Sequence, residues 1–138
     1  MVETGIQAVS KKEVIERMLE IACRSGKVKD RGLAARDTTA REELASTGME
    51  NGIAIPHAKT DAVDGLVACV GVTKHGVDFE SLDRRPARIF IMTLSPVSGA
   101  GPHVQFLAAI SRILTDAKTR KAILKARTDE ELLAILTG

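Results

Sequence analysis

Apolar residues recur at helical spacing in the first third of the chain. Ser10, followed by Glu13 three residues later, forms a capping box, and the apolar stripe behind it predicts a helix over about 11–25. A second helical stretch is expected over about 30–45. Its apolar stripe is weaker, and the polar residues around Thr38 predict a break there.

The last third of the chain has the same helical periodicity. Pro102 is a residue favoured at the first position of a helix, and the stripe behind it extends to Leu114. We expect the helical pattern to continue over 116–127. A second capping box begins at Thr128 and predicts a final helix.

Between these helical ends, apolar residues form short continuous runs that are typical of buried strands. The runs over 66–73 and 87–94 predict two core strands, and 52–56 predicts a shorter one. A turn is expected over 74–76, followed by a short edge strand over 77–79.

Helices at both ends and strands in the middle indicate an α/β fold. The prediction is a three-layer single domain over 1–138, in which helices cover both faces of a β-sheet. The strands near Val77 and Ile89 are close enough along the chain to pair antiparallel. The sheet is therefore expected to be mixed.

Composition excludes several classes of partner. Hydrophobic residues make up 44% of the chain and charged residues 28%, which is typical of a folded domain. The net charge is only +2 and the aromatic residues are three Phe, so neither nucleic acid nor a membrane surface is expected as a partner. With no apolar signal segment visible, we expect a cytoplasmic protein.

Candidate chemistry concentrates at the end of the short strand over 52–56. Pro56 cannot donate a backbone hydrogen bond to a sheet, so His57 is expected where a buried strand meets the surface. A neutral histidine has a free ring nitrogen and can act as a nucleophile near neutral pH. The alternative is a strand-end histidine whose ring is only hydrogen-bonded.

Arg41, Ser46 and Thr47 precede His57 in the sequence and would suit the binding of an anion. Arg41 supplies a positive charge, and Ser46 and Thr47 supply hydroxyl groups in a turn rich in small residues. The alternative for Arg41 is a surface ion pair with Glu42 or Glu43. The alternative for the two hydroxyl residues is that they only form the turn.

His103 is a second candidate, because it lies in the first turn of the helix that begins near Pro102. The loop over 95–101 leads into that turn, whose free N–H groups attract anions. His103 as an incidental surface residue is the alternative. His57 and His103 would also allow a metal-dependent hydrolase, although no nearby carboxylate or thiol spacing supports a metal site.

These residues carry a resemblance to a known family. Arg41–Glu42, then Ser46–Gly48, then Gly52–His57 resemble the signature of the enzyme IIA domains of the bacterial phosphoenolpyruvate-dependent sugar phosphotransferase system. The similar class is the fructose/mannitol class with its nitrogen-regulatory branch. The resemblance extends over nearly all of the chain and implies a single enzyme IIA type 2 domain over 1–138.

The resemblance implies a role for each matching residue. His57 would take a phosphoryl group from the histidine phosphocarrier protein HPr and pass it to a cysteine on the IIB domain of a sugar permease. Arg41 and His103 would assist the transfer, and Thr47 would belong to the active-site turn. The segment Asp83–Pro86 departs from the family's usual turn without touching His57.

Two functions therefore share one site. The first is a carrier for sugar uptake that needs no metal or other cofactor and meets the membrane only through the permease. The second is a regulator that binds its targets according to the phosphorylation state of His57. Both require the same histidine to be phosphorylated.

Overall fold

The computed structural model describes residues 1–99 and 101–138. Strands and helices follow one another in an order that places most strands between the N-terminal and C-terminal helices. The strands are β1 (Val2–Ile6), β2 (Ile53–Ala54), β3 (His57–Lys59), β4 (Val67–Val77) and β5 (Ala87–Ser95). The helices are α1 (Lys11–Cys23), α2 (Arg31–Leu44), α3 (Gly101–Thr115), α4 (Ala117–Lys125) and α5 (Asp129–Thr137).

All five strands form one mixed sheet, as expected. The order is β1-β4-β5-β2, and β3 also pairs with β5. β4 and β5 are antiparallel, whereas β1 is parallel to β4, and β2 and β3 are parallel to β5. β2 and β3 thus follow each other along the same edge of β5, with Pro56 in the gap between them.

Two apolar cores lie on the two faces of this sheet, which confirms the three-layer α/β prediction. The first contains Val14 and Met18 of α1, Ala34 of α2, and side chains from one face of β4 and β5. The second contains side chains from the opposite face together with Ile110 of α3 and others from α4 and α5. β4 and β5 contribute side chains to both cores, because successive side chains along a strand point to opposite faces of the sheet.

The predicted turn over 74–76 and the separate edge strand over 77–79 are wrong. β4 continues through these residues to Val77, which pairs with Ala87 of β5. Gly76 serves close packing here and not a turn, since a Cβ at that position would lie 2.4 Å from the Cβ of Pro86.

Strand β1 was not predicted. Its residues carry no strong strand pattern, and Gly5 has a positive φ of 65° beside an irregularity in the register. Tertiary contacts hold the strand instead: Thr4 donates its backbone N–H to Asp129 over 2.8 Å, and Glu3 forms an ion pair with Arg17.

The helical predictions differ in smaller ways. α2 has no break near Thr38, because the hydroxyl of that residue donates to the Ala34 carbonyl within the helix. The helix predicted over 116–127 is α4, which begins after its N-cap Asp116. The predicted loop over 95–101 includes Ala100, which lies outside the described residues. No helix of the described ranges is both long enough and apolar enough to cross a membrane.

Candidate functional site

His57 is the first residue of β3, directly after Pro56. The predicted strand over 52–56 is in fact the two-residue strand β2, and Pro56 separates it from β3. The histidine pairs in register with Thr93 of β5 and is half-buried. It is therefore held by the sheet and still reachable from solvent.

The register shows which face of the sheet His57 occupies. Ile53 pairs with Ile89, and both belong to the core on the side of α3. Thr93 lies four residues beyond Ile89 and so points to the same face, as does its parallel partner His57. His57 consequently faces the layer that contains α3.

His103, the third residue of α3, meets His57 on that face. The two ring centroids are 5.7 Å apart, and the ring planes are tilted by 35°. The start of this helix therefore faces His57. A helix N-terminus also brings free N–H donors and a positive dipole end to the same place.

A backbone carbonyl fixes the chemistry of the His57 ring. Nδ1 lies 2.7 Å from the carbonyl oxygen of Ile55. Because a carbonyl can only accept, Nδ1 must carry the proton and donate it. In the neutral ring this leaves the lone pair on Nε2, so that Nε2 is the nucleophilic nitrogen.

His103 has a different environment. Burial lowers its pKa below the usual value of 6.5, and its neighbours His57 and Lys59 lower that pKa further through electrostatic repulsion of the protonated ring. In the part of the chain that the structure describes, His103 Nδ1 and Thr93 Oγ1 are buried without a hydrogen-bond partner. Two polar atoms with unused hydrogen-bonding capacity therefore belong to residues that adjoin His57.

Lys59 is a site residue that the sequence analysis missed. It lies two positions after His57 on β3, so its side chain leaves the same face of the sheet, and it is exposed. Its positive charge is one of the causes that lower the pKa of His103. Alternation along a strand that contains His57 was the signal that could have identified it.

Arg41 lies in the last turn of α2, the helix that packs against β3. Its Nη1 donates to the carbonyl of Ala45 over 2.9 Å, and the side chain is half-buried. The alternative of an ion pair with Glu42 is not what the structure shows, because the Glu42 carboxylate accepts from Lys11 and Thr47. Arg41 thus remains a candidate for contact with an anion.

Ser46 and Thr47 form the turn after α2 and use their hydroxyls there. Ser46 Oγ donates to the Phe79 carbonyl over 2.5 Å and accepts from the Gly48 N–H over 3.1 Å. Thr47 is buried, and both its hydroxyl and its N–H donate to Glu42. These contacts match the turn-forming alternative better than direct phosphate binding.

The described residues offer no cluster suited to a metal ion. Across 1–99 and 101–138, no three histidine, cysteine, aspartate or glutamate side chains are grouped as ligands. His57 and His103 therefore lack the additional ligand that a protein site for zinc requires. The metal-dependent hydrolase finds no support in this set of donors.

Comparison with known proteins gives a consistent result. The family model described as "Phosphoenolpyruvate-dependent sugar phosphotransferase system, EIIA 2" matches residues 1–138. The chain is 37% identical over 127 residues to a fructose-specific EIIA component of Haloferax volcanii. The aligned region covers 92% of this chain and 82% of that protein.

Solved structures have the same fold. The crystal structure of the nitrogen regulatory protein IIA-Ntr from Neisseria meningitidis matches with a TM-score of 0.88 and 25% identity, over 98% of this chain and 92% of that one. A complex of mannitol enzyme IIA and phosphorylated enzyme IIB from Escherichia coli matches with a TM-score of 0.84 over 99% and 94%. Its identity of 23% supports the fold alone. Because the family model matches residues 1–138, the chain belongs to the EIIA 2 family of the phosphoenolpyruvate-dependent sugar phosphotransferase system.

Proposed function

We propose that this phosphotransferase-system EIIA carries its phosphoryl group on Nε2 of His57. The observation that carries the proposal is the hydrogen bond from His57 Nδ1 to the Ile55 carbonyl, 2.7 Å long. It assigns the proton to one nitrogen and the lone pair to the other. The ring therefore needs no proton transfer before it attacks phosphorus.

The proposed step is a displacement at phosphorus. The Nε2 lone pair of His57 forms a bond to the phosphorus of phospho-HPr, while the P–N bond of HPr breaks and its electron pair returns to the HPr histidine. The proton stays on His57 Nδ1 throughout, donated in the hydrogen bond to the Ile55 carbonyl. In the second step a cysteine thiolate of IIB attacks the same phosphorus, and the electron pair of the N–P bond returns to Nε2.

An imidazole ring and a lysine lie on the face of His57 where the phosphoryl group would sit. The His103 ring is within 5.7 Å, centroid to centroid, and Lys59 shares the same side of β3. Arg41 lies in the last turn of α2, the helix that packs against β3. Phosphoryl transfer depends mainly on positioned positive groups and hydrogen-bond donors around the equatorial oxygens, so this arrangement suits it.

The surroundings of the site suit docking by other proteins. Leu44, Val97 and Val104 are 84%, 58% and 60% exposed. Leu44 precedes Ser46 along the chain, and Val97 and Val104 precede and follow His103. A partner that docks beside the start of α3 would cover Val97 and Val104. We assign HPr and a IIB domain to this surface in turn; the solved complex with IIB is a precedent in the same fold.

The similarity to a nitrogen regulatory protein supports a second role for the same site. In that role the phosphoryl group on His57 changes which target protein binds, because it adds negative charge to the docking surface. In either role we expect the chain in the cytoplasm, with the membrane reached only through a permease. Transfer from the phosphorylated chain to a IIB cysteine would favour uptake, and failure to transfer would favour regulation.

One incubation tests the carrier. The chain is mixed with phosphoenolpyruvate, enzyme I and HPr and then examined by intact-mass analysis. We expect one added phosphoryl group that is acid-labile, lost in His57→Ala and kept in the control His75→Ala, whose residue is exposed on β4. Full uptake by His57→Ala would overturn the assignment.

A further inference from the structure

Glu42 is a buried carboxylate next to Arg41 that the phosphoryl-transfer step itself does not use. Its side chain is only 6% exposed. Oε2 accepts from Lys11 Nζ over 3.0 Å and from the Thr47 N–H over 2.8 Å, and Oε1 accepts from the Thr47 hydroxyl. A buried carboxylate is costly unless its hydrogen bonds are filled. Here they are filled by Lys11 of α1 and by Thr47 of the turn after α2.

Thr47 connects this carboxylate to the strand that leads to the site. Its backbone carbonyl accepts from the N–H of Ile55 over 3.0 Å. A second backbone bond, from Met49 N–H to the Ile53 carbonyl over 2.8 Å, holds the same turn against β2. The position of Ile55 is therefore set by Thr47, and that of Thr47 by Glu42.

Ile55 completes the connection, because its carbonyl accepts the hydrogen bond from Nδ1–H of His57. We propose that Glu42 is a positioning residue for His57: by clamping Thr47 it holds the Ile55 carbonyl where it fixes the tautomer and the aim of the ring. The proposal rests on His57 as the phosphoryl acceptor. Glu42 itself touches neither the ring nor the phosphoryl group.

Lys11 offers a matched control for this inference. It also pairs with Glu80 over 3.1 Å, and that carboxylate is 75% exposed and makes no bond to Thr47. The substitution Glu80→Gln therefore removes one ion pair of Lys11 and leaves the chain from Glu42 to His57 intact. Glu42→Gln loses the charge but keeps a carbonyl for the Thr47 N–H and an amide for its hydroxyl.

The test combines a spectroscopic readout with a kinetic one. Nitrogen-15 chemical shifts of the His57 ring, assigned by their absence in His57→Ala, report whether Nδ1 or Nε2 carries the proton. We expect Nδ1 to be protonated in the native chain, Glu80→Gln and Glu42→Gln. In Glu42→Ala we expect a mixture of tautomers, with uptake from phospho-HPr slower by roughly ten- to a hundredfold at unchanged KM.

The possible results distinguish a failure of the positioning role of Glu42 from a failure of the proposed function. An unchanged tautomer and rate in folded Glu42→Ala would overturn the positioning role. If Glu42→Ala does not fold, Thr47→Val removes one of the two bonds to the carboxylate and should shift the tautomer in the same direction by less; no shift there would also overturn it. A native chain that shows the Nδ1 tautomer but takes no phosphoryl group would refute the proposed function and leave the tautomer result standing.

Discussion

The imidazole rings of His57 and His103 lie 5.7 Å apart, centroid to centroid, although 45 residues separate them along the chain between β3 and α3. At this distance a group bound to His57 Nε2 would lie close to the His103 ring. His57 has its proton committed to Ile55, whereas His103 Nδ1 has no partner among the described residues. The two histidines are thus suited to different tasks.

We predict that His103→Ala still accepts a phosphoryl group at His57, but more slowly. The imidazole would donate a hydrogen bond to a phosphoryl oxygen as negative charge develops, and loss of one preorganised donor costs about 2.7–4 kcal/mol at most. Rapid-quench measurement of uptake gives the rate. A rate equal to that of the native chain would reduce His103 to an incidental neighbour.

The lowered pKa of His103 predicts how stability depends on pH. Burial, followed by the charges of His57 and Lys59, holds the folded-state pKa below 6.5, so the unfolded state binds more protons as the pH falls through that value. Protonation then favours unfolding, and His103 costs stability only on the acidic side. In His103→Asn this cost is absent.

Urea unfolding at about pH 7.5 and about pH 5.5 measures the effect. The free energy of unfolding should fall less on acidification in His103→Asn than in the native chain. His75→Asn, with its side chain exposed on β4, should behave as the native chain does. An identical decrease in the native chain and in His103→Asn would contradict the prediction.

Arg41→Ala should slow uptake while leaving the fold intact. The guanidinium is half-buried at the end of α2 and would meet charge that grows in the transition state, a contribution of roughly 3–4 kcal/mol. Arg41→Lys should recover only part of the rate, because an ammonium cannot reproduce the planar fork. The control is Arg36→Ala, an exposed arginine of the same helix. Unchanged rates in Arg41→Ala would show that its bond to Ala45 is its only role.

Lys59→Met should slow uptake and raise the pKa of His103. The lysine charge is one of the causes that lower this pKa, so its removal makes the imidazolium easier to form. Proton NMR titration of the His103 ring measures the pKa, with Lys74→Met on β4 as the control. An unchanged pKa of His103 in Lys59→Met would show that Lys59 is too far from His103 to act on a phosphoryl group.

Local patterns predicted the elements whose causes are local. The capping boxes at Ser10 and Thr128 begin α1 and α5, and in each case the side chain accepts the expected N–H. β1 escaped prediction because its stability comes from distant partners such as Asp129. The break expected near Thr38 is absent because its hydroxyl bonds within the helix.

The same distinction holds in the site. Pro56 and His57 stand out in the sequence, and so does the helix start that carries His103. Lys59 could have been found by alternation along the strand. The role of Glu42 in holding Thr47 could not have been found in the sequence. Its partner Lys11 lies 31 residues away, and only the packing of α1 against α2 brings the two together.

The most direct test of the central claim is the identity of the phosphorylated atom. The native chain, labelled with nitrogen-15 in its histidine rings, is phosphorylated by phospho-HPr and examined by phosphorus-31 and nitrogen-15 NMR. The account predicts one phosphohistidine, at His57, with phosphorus bonded to Nε2 and the proton on Nδ1. Phosphorus on Nδ1 of His57, or on any other residue, would contradict it.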